Sequence, residues 1–184
     1  GKCIRTPVSK LRTTKSRSSM GVRGIKLAKN DSIISLSILS HLDVSSSEVK
    51  AYLKMSKINK ENEEEAEEDN NDIEDIKISE DRFQEMKACE QFVLTVTENG
   101  FGKRSSSYQF RVTNRGGSGI MCITTSSRNG NVLASFPVGH DDDIMLITKS
   151  GQLIRCPVID IRVAGRNTQG VSIFKTSDSE KVVS

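Results

Sequence analysis

The feature that most restricts what this chain can fold into is an internal repeat. Phe92-Val-Leu-Thr-Val-Thr97 runs into Glu98-Asn99-Gly100, and Ile144-Met-Leu-Ile-Thr148 runs into Lys149-Ser150-Gly151. Each is a short β-rich run ended by a tight turn, and Asn-Gly is a strong hairpin signal. A basic residue follows at the same offset beyond each turn, Arg104 in one case and Arg155 in the other. A second glycine comes nineteen positions after the first in both, Gly119 and Gly170. Ile120-Met-Cys-Ile-Thr124 and Val171-Ser-Ile-Phe-Lys175 then read as further strands, closed by Val132-Leu-Ala-Ser-Phe136 and Lys181-Val-Val-Ser184. The period is about 51 residues, close to that of propeller-type blades.

The N-terminal residues supply a third copy without its opening strand. Gly1 takes the place of the turn glycine, Arg5 that of Arg104 and Arg155, and Gly21-Val22 that of Gly170-Val171, one residue later. Ile25-Lys-Leu27 and Ile33-Ile-Ser-Leu36 are expected to supply its later strands. The sequence thus divides into a truncated unit at 1–39, a unit at 92–139 and a unit at 140–184 whose end is short. Residues 40–91 are surplus to the period. They contain Glu61-Asn-Glu-Glu-Glu-Ala-Glu-Glu-Asp69, with too few apolar residues for a core. Ser45-Ser46-Ser47 precedes a stretch where Val49, Tyr52, Leu53 and Ile58 suggest one short helix. The rest of the insert reads as a solvated, mostly disordered loop, with a DNA-mimicking segment as the sharper alternative.

Charge is segregated along the chain. Residues 1–30 carry nine Lys or Arg and no acid, whereas residues 48–91 carry fifteen acids against seven bases. The formal net charge of +3 therefore conceals a basic body, and a polyanion is the partner that suits it. No run of eighteen apolar residues offers a membrane span. The start, Gly1-Lys2-Cys3, has neither Met nor the apolar centre of a signal peptide, as expected of a chain that begins partway through a longer protein. Cys3, Cys89, Cys122 and Cys156 form no CxxC pair and, with His41 and His140 isolated, propose no zinc site; free thiols suit a reducing cytoplasm.

The loop before the second glycine concentrates the cations. It reads Lys10-Leu-Arg12-Thr-Thr-Lys15-Ser-Arg17 in the first unit, Arg111-Val-Thr-Asn-Arg115 in the second and Arg162-Val-Ala-Gly-Arg166 in the third. Equivalent loops of a repeat emerge on one edge, which aligns these residues along a rim, and Arg5, Arg23, Lys103, Arg104 and Arg155 join them as candidate DNA contacts. Arg and Lys among Ser, Thr and Gly can meet phosphates through side chains and backbone N–H groups. Aromatic residues are nearly absent, which disfavours stacking on single strands. No recognition helix is evident, so the chemistry points to sequence-tolerant binding of bent duplex. Gly100-Phe-Gly-Lys103-Arg104 is a poor phosphate loop, lacking the first glycine and continuing as strand. Asp141-Asp142-Asp143 reads as a solvated turn. An attacking tyrosine beside an arginine is missing, since Tyr52 follows Ala51 and Tyr108 follows Ser107; no catalysis is expected of this stretch.

Thr95-Val-Thr-Glu-Asn-Gly-Phe-Gly-Lys-Arg104, Ser127-Arg-Asn-Gly130, Gly165-Arg-Asn-Thr-Gln-Gly-Val171 and Gly21-Val-Arg-Gly-Ile25 closely resemble the C-terminal domain of DNA gyrase A. The resemblance covers most of 1–39 and 92–184 and excludes the insert. It implies an all-β fold, a β-pinwheel of propeller-like blades, each a four-stranded antiparallel sheet, that exchange strands; here it would be a partial disc with a long acidic insert, matching the fourth to sixth of six blades. It further implies a module that wraps duplex DNA on its basic rim without sequence specificity, inside a bacterial ATP-dependent type II topoisomerase that introduces negative supercoils. The expected partners are double-stranded DNA, the rest of gyrase A, and gyrase B in an A2B2 heterotetramer, in the cytoplasm at the nucleoid. No cofactor is expected within this stretch, ATP and Mg lying on other regions. The family's basic box is degenerate here, with one basic residue in Asn114-Arg115-Gly-Gly-Ser-Gly119, which implies weaker wrapping. The equivalent C-terminal domain of topoisomerase IV and a protein-interaction propeller are the alternatives.

Overall fold

A computed structural model of the chain describes residues 1–58, 78–175 and 180–184. Alternating β-branched residues make Phe92–Thr97 a strand (β2), and the turn at Gly100 returns the chain as Phe101–Ser106 (β3). Gly100 N–H donates to the Thr97 carbonyl at 3.0 Å, with Gly100 at φ 75°, a conformation that suits glycine. The third unit repeats the device. Strand Asp143–Ile147 (β6) turns through Gly151 into Leu153–Pro157 (β7), and Gly151 N–H donates to the Thr148 carbonyl at 2.9 Å.

The sheets are completed across unit boundaries. Val132–Val138 (β5) pairs antiparallel with β2, while Val171–Ser172 (β8), from the third unit, pairs antiparallel with β3. The result is a four-stranded sheet in the order β5-β2-β3-β8. The first and second units are joined the same way. Lys2–Cys3 (β1) pairs with Ile120–Met121 (β4), in the register Lys2 opposite Met121 and Cys3 opposite Ile120. The second and third units therefore each lend their third strand to the unit before. A glycine must precede that lent strand, because a methyl group on Gly170 would lie 2.8 Å from the Gly102 carbonyl oxygen.

The apolar core lies along the boundary between the second and third units. Leu94 and Val96 of β2 meet Ile144 and Leu146 of β6, with Val158, Ile161 and Val182 closing the cluster. At about 25 cal/mol per Å² of apolar surface, this junction supplies a large share of the folding drive. After the second strand of every unit comes one 3-10 turn, at Val8–Lys10, Ser107–Gln109 and Val158–Asp160.

Two expectations for strands are corrected. Ile25–Leu27 and Ile33–Leu36 form no strand, and Ile33, Leu36 and Ile38 are 64%, 87% and 76% exposed. A closing strand needs a first strand of its own unit to pair with, as β5 has β2, and no such partner lies beside this segment among the described residues. The closing run of the third unit is short of a full strand: Val182 bridges Thr148 antiparallel, with Lys149 N–H donating to the Lys181 carbonyl at 2.9 Å, Val183 N–H to the Ile147 carbonyl at 2.8 Å and Ile147 N–H to the Ser184 carbonyl at 2.7 Å.

The insert also departs from expectation. Two helices form within it, Ser46–Ile58 (α1) and Glu80–Cys89 (α2), and the described residues between 40 and 90 make a compact unit of their own. Ser45 and Glu48 form a capping box: Ser45 N–H donates to Glu48 Oε2 at 2.7 Å and Glu48 N–H to Ser45 Oγ at 3.2 Å. This holds the Glu48 carboxyl down at about 2, the Ser45 backbone N–H being the chief cause and the Ser45 hydroxyl and Arg82 adding to it. Tyr52 packs on Phe83 with ring centroids 5.0 Å apart, and Tyr52, Phe83 and Met86 are buried. Arg82 ties the pair, donating to Glu48 Oε1, Glu85 Oε2 and the Asp43 carbonyl. The short helix expected over Val49 to Ile58 is present as α1, whereas α2 was not expected, and an apolar contact between residues far apart in sequence joins the two. The run 61–69 lies outside the described residues.

Candidate nucleic-acid interface

The basic residues divide into two classes with different jobs. Arg5 and Arg104 sit four residues after their turn glycines and point into the junction with the next unit. Arg104 Nε donates to the Ile161 carbonyl at 2.7 Å and its guanidinium also reaches the Ile159 carbonyl at 3.1 Å. Arg5 donates to the Ser107 carbonyl at 2.9 Å and the Phe110 carbonyl at 3.5 Å. Each arginine thus clamps the 3-10 turn of the following unit. Around each clamp the backbone makes a parallel bridge, Arg5 with Val112 and Arg104 with Val163. Burial lowers the pKa of both guanidinium groups from the usual arginine value. Both still carry charge at neutral pH.

Lys103 belongs to the same class. It is 1% exposed, and its ammonium donates to the carbonyls of Gly165 at 2.5 Å and Thr168 at 3.1 Å and to Thr168 Oγ1 at 3.2 Å. Arg5, Lys103 and Arg104 are therefore corrected as rim contacts. A cation is costly to bury, and these are compensated by main-chain oxygens that the next unit carries to them. No phosphate can reach Lys103 or Arg104 without parting that junction.

The second class faces outward. Lys10, Arg12, Lys15, Arg17, Arg23, Arg111, Arg115 and Arg162 are exposed, and Arg166 is half-buried. The loops carrying Arg111 to Arg115 and Arg162 to Arg166 are fastened to the unit before them. Gly116 N–H donates to the Gly24 carbonyl at 2.5 Å, Lys26 N–H to the Gly117 carbonyl at 2.8 Å and Arg115 to the Arg23 carbonyl at 3.4 Å, so Arg115 and Arg23 come together. In the next junction Arg166 N–H donates to Gln109 Oε1 at 2.9 Å, and its guanidinium reaches the Met121 carbonyl at 3.4 Å. Thr124 Oγ1 donates to the Asn167 carbonyl at 2.7 Å. Arg111 and Arg162 occupy equivalent positions beside the two parallel bridges, and Arg115 and Arg166 follow four residues on. Arg155, the third residue of the clamp position, is exposed and held by Asp143.

Three features of the interface were not expected from sequence. Arg128 is exposed in the Ser127–Gly130 turn, with its guanidinium 5.0 Å from the Phe101 ring centroid, and extends the list of outward cations. Its neighbour Asn129 is fully buried, donating to the carbonyls of Thr124 and Gln169 while its oxygen accepts from Ser126. Ser127-Arg-Asn-Gly130 enters the sequence reading only as a motif of the family resemblance, which gives no sign of this cross-unit bond. Cys3 and Cys122, remote in sequence, meet where β1 crosses to β4. Hydrogen bonding from Cys3, helped by Thr95 and the charge of Lys103 and opposed by burial, brings the Cys122 thiol down to about 6, while Cys3 is pushed up. All four cysteines are free.

The family model and the sequence relatives agree on one family. The family model described as DNA gyrase C-terminal domain, beta-propeller, matches residues 1–40, 91–138 and 142–184. DNA gyrase A of Rickettsia felis is 48% identical over 184 residues, which is all of this chain and 20% of that protein. DNA gyrase A of Granulibacter bethesdensis is 42% identical over 198 residues, covering all of this chain and 21% of that protein. DNA gyrase A of Haemophilus influenzae is 35% identical over 169 residues, covering 91% of this chain and 17% of that protein. The chain thus spans about a fifth of the length of these relatives. A solved structure of a DNA gyrase A C-terminal domain aligns with a TM-score of 0.49 at 26% identity, over 52% of this chain and 32% of that one.

Proposed function

Since this chain belongs to the DNA gyrase C-terminal domain family, whose fold is a β-propeller, we propose that it binds and bends duplex DNA through the phosphate backbone. The observation that carries this reading is the repetition of one loop geometry across two unit junctions. Arg111 with Arg115, and Arg162 with Arg166, leave a 3-10 turn by the same route, each loop fastened to the unit before it. Two equivalent cationic loops held in fixed relation can meet successive phosphates of one duplex. Exposed Ser118 adds a small donor, and the glycines beside it let the backbone approach.

The reading extends to the longer protein. The chain acts as a DNA-wrapping segment of gyrase A, in the bacterial cytoplasm at the nucleoid, and does not itself break DNA. Strand cleavage, ATP and Mg belong to other regions of gyrase A and to gyrase B, with which it assembles as A2B2. Its relatives' names and the outward cations support this picture.

Binding to a linear duplex of about 150 base pairs across a salt series tests the proposal. Steep salt dependence without sequence preference is expected, and each of Arg111, Arg115, Arg162 and Arg166 changed to Gln lowers the log–log slope by about 0.9. Ligation of relaxed circles on the protein should trap positive writhe. Absence of binding at low salt would sink the proposal, and binding that traps no writhe would remove the bending part of it.

A further inference from the structure

The two unit junctions share one strand register, so the side chains that meet across them can be compared position by position. Cys3 of β1 stands opposite Ile120 of β4, and Gly102 of β3 stands opposite Val171 of β8. Two residues further along the lent strand come Cys122 in the first junction and Ile173 in the second. Residues two apart on a strand share a face, which makes each of these pairs diagonal neighbours across the pairing. In the second junction the diagonal is closed: a methyl group on Gly102 would lie 2.5 Å from Ile173 Cδ1. The first junction places a thiol at both positions. The Cys3 thiol donates to the Cys122 sulfur, which also lies 3.3 Å from Thr95 Oγ1 of β2. Cys122 is 5% exposed, and its N–H donates to the Gly1 carbonyl at 3.0 Å.

The two sulfurs are chemically unequal. Their shared hydrogen bond favours the charged form of Cys122 and the neutral form of Cys3, and the nearby charge of Lys103 acts on Cys122 in the same sense. Cys122 is thus the thiolate of the pair, the form that attacks an oxidant. Cys3 keeps its proton and stands within hydrogen-bond reach, where a resolving thiol must be. The other two cysteines provide internal controls. Cys89 is exposed on α2, and Cys156 lies on β7, where burial and the charges of Asp160 and Asp143 push its thiol up.

We propose that Cys3 and Cys122 form an oxidation site, at which hydrogen peroxide closes a disulfide between β1 and the strand β4 that the second unit lends to it. The Cys122 sulfur attacks one peroxide oxygen, the O–O bond breaks, and the departing hydroxide takes up a proton and leaves as water. The Cys3 sulfur then attacks the sulfenic acid on Cys122. The S–O bond breaks, and the second hydroxide leaves as water with the Cys3 proton. The two sulfurs give up two electrons, and one peroxide becomes two waters. Since β4 pairs over two residues, local opening of this short pairing admits the oxidant, and the closed disulfide then suppresses that opening. The loop carrying Arg111 and Arg115 runs directly into β4, so oxidation also holds that loop against the first unit. A dithiol reductant reverses the step. The proposal stands independently of DNA binding.

Brief treatment of the full 184-residue chain with hydrogen peroxide, followed by alkylation, digestion without reductant and mass spectrometry, reads the result. A linked Cys3–Cys122 peptide pair is expected, with the chain lighter by two hydrogen atoms and two of its four thiols withdrawn from alkylation. Dithiothreitol should restore both thiols. In Cys3→Ser the reaction should stop at a Cys122 sulfenic acid that dimedone captures, and in Cys122→Ser the Cys3 thiol should stay reduced. The linked pair is read in the unaltered chain, so its presence or absence decides the matter even where a variant folds poorly. The proposal is overturned if Cys3 and Cys122 both remain open to alkylation once the exposed Cys89 is oxidised. It is equally overturned if the linked pair forms no faster in the folded chain than in concentrated urea. Oxidation of Cys3 in Cys122→Ser at the rate seen in the unaltered chain would overturn Cys122 as the attacking sulfur.

Discussion

The second and first units carry the same succession of turn glycine, clamp arginine, 3-10 turn and left-handed glycine, yet they differ sharply in how much structure they build. The second forms three strands of a four-stranded sheet, and its first strand buries Leu94 and Val96 completely. The first forms a two-residue strand and leaves Leu36 87% exposed. Local sequence does not account for the difference, since β-branched residues occur in both. The neighbours do. The second unit receives β8 from the third and keeps β2 for β5, whereas the first has β4 on one edge, and its closing segment forms no strand pairing, its Ser35 and Ser37 hydroxyls donating to the Ser135 carbonyl of β5. Stability in such a repeat is a sum of intrinsic and nearest-neighbour terms, and here the neighbour term dominates.

Removing a clamp is the strongest way to break this comparison. Arg104→Ala leaves the Ile159 and Ile161 carbonyls without their donor, and hydrogen bonds from charged groups are worth about 1.5–3 kcal/mol each. A loss of about 3 kcal/mol in urea unfolding is expected, whereas Arg155→Ala, at the same offset but exposed, should change monomer stability by less than about 0.5 kcal/mol. Equal effects would refute the idea that the junctions carry the fold. The glycines make the next test. Gly170→Ala meets both a positive φ and the Gly102 carbonyl at 2.8 Å, for a cost of about 2 kcal/mol, while Gly21→Ala meets the φ strain alone, about 1 kcal/mol. Thermal melts of the two variants should separate by several degrees.

Acid should act on the same junction more gently. Glu98 accepts from Asn131 N–H at 2.9 Å and from Lys181 Nζ at 2.9 Å, which lowers its carboxyl below the ordinary 4.5, the Asn131 backbone bond contributing most. A carboxyl depressed in the folded state stabilises above its unfolded value, and that stabilisation is lost as pH falls through the folded one. Glu98→Gln should therefore be less stable than the parent at neutral pH and converge with it in acid. The smallest effect belongs to the insert. Glu48→Gln weakens the capping box of α1 by a few tenths to about 1 kcal/mol, visible as helical signal lost between 40 and 90 while the sheet signal stays.

Much of this architecture was legible in the sequence, because the turns, the strands around them and the second glycine recur at fixed offsets. The strand exchange was not readable from spacing alone; it entered through the family resemblance. Lys103 and Arg104 were misread for a definable reason. Two adjacent cations on a strand must point to opposite faces, and an exposed face was assumed for both. The clue was nearby, since Gly102 before them and Ser105-Ser-Ser107 after them are small residues suited to a strand covered on both sides. The second helix of the insert was missed because Phe83 finds Tyr52 across the acidic run, and a short amphipathic helix does not announce so distant a partner. The outward loops were legible, since their cations repeat with the period and no apolar neighbour draws them in.

The pairing of β3 with β8 also sets a timetable. Gly102 finds its partner in Val171, so during synthesis β3 is made well before the residues that cover it. At about 5–20 residues per second, the edge stands open for roughly 3–14 s while the third unit is still being polymerised. In that interval β3 offers an unpaired row of backbone groups with Lys103 and Arg104 uncompensated, and the two cations act as gatekeepers against pairing with other nascent chains. The residues that lock the finished junction thus guard it while it is incomplete.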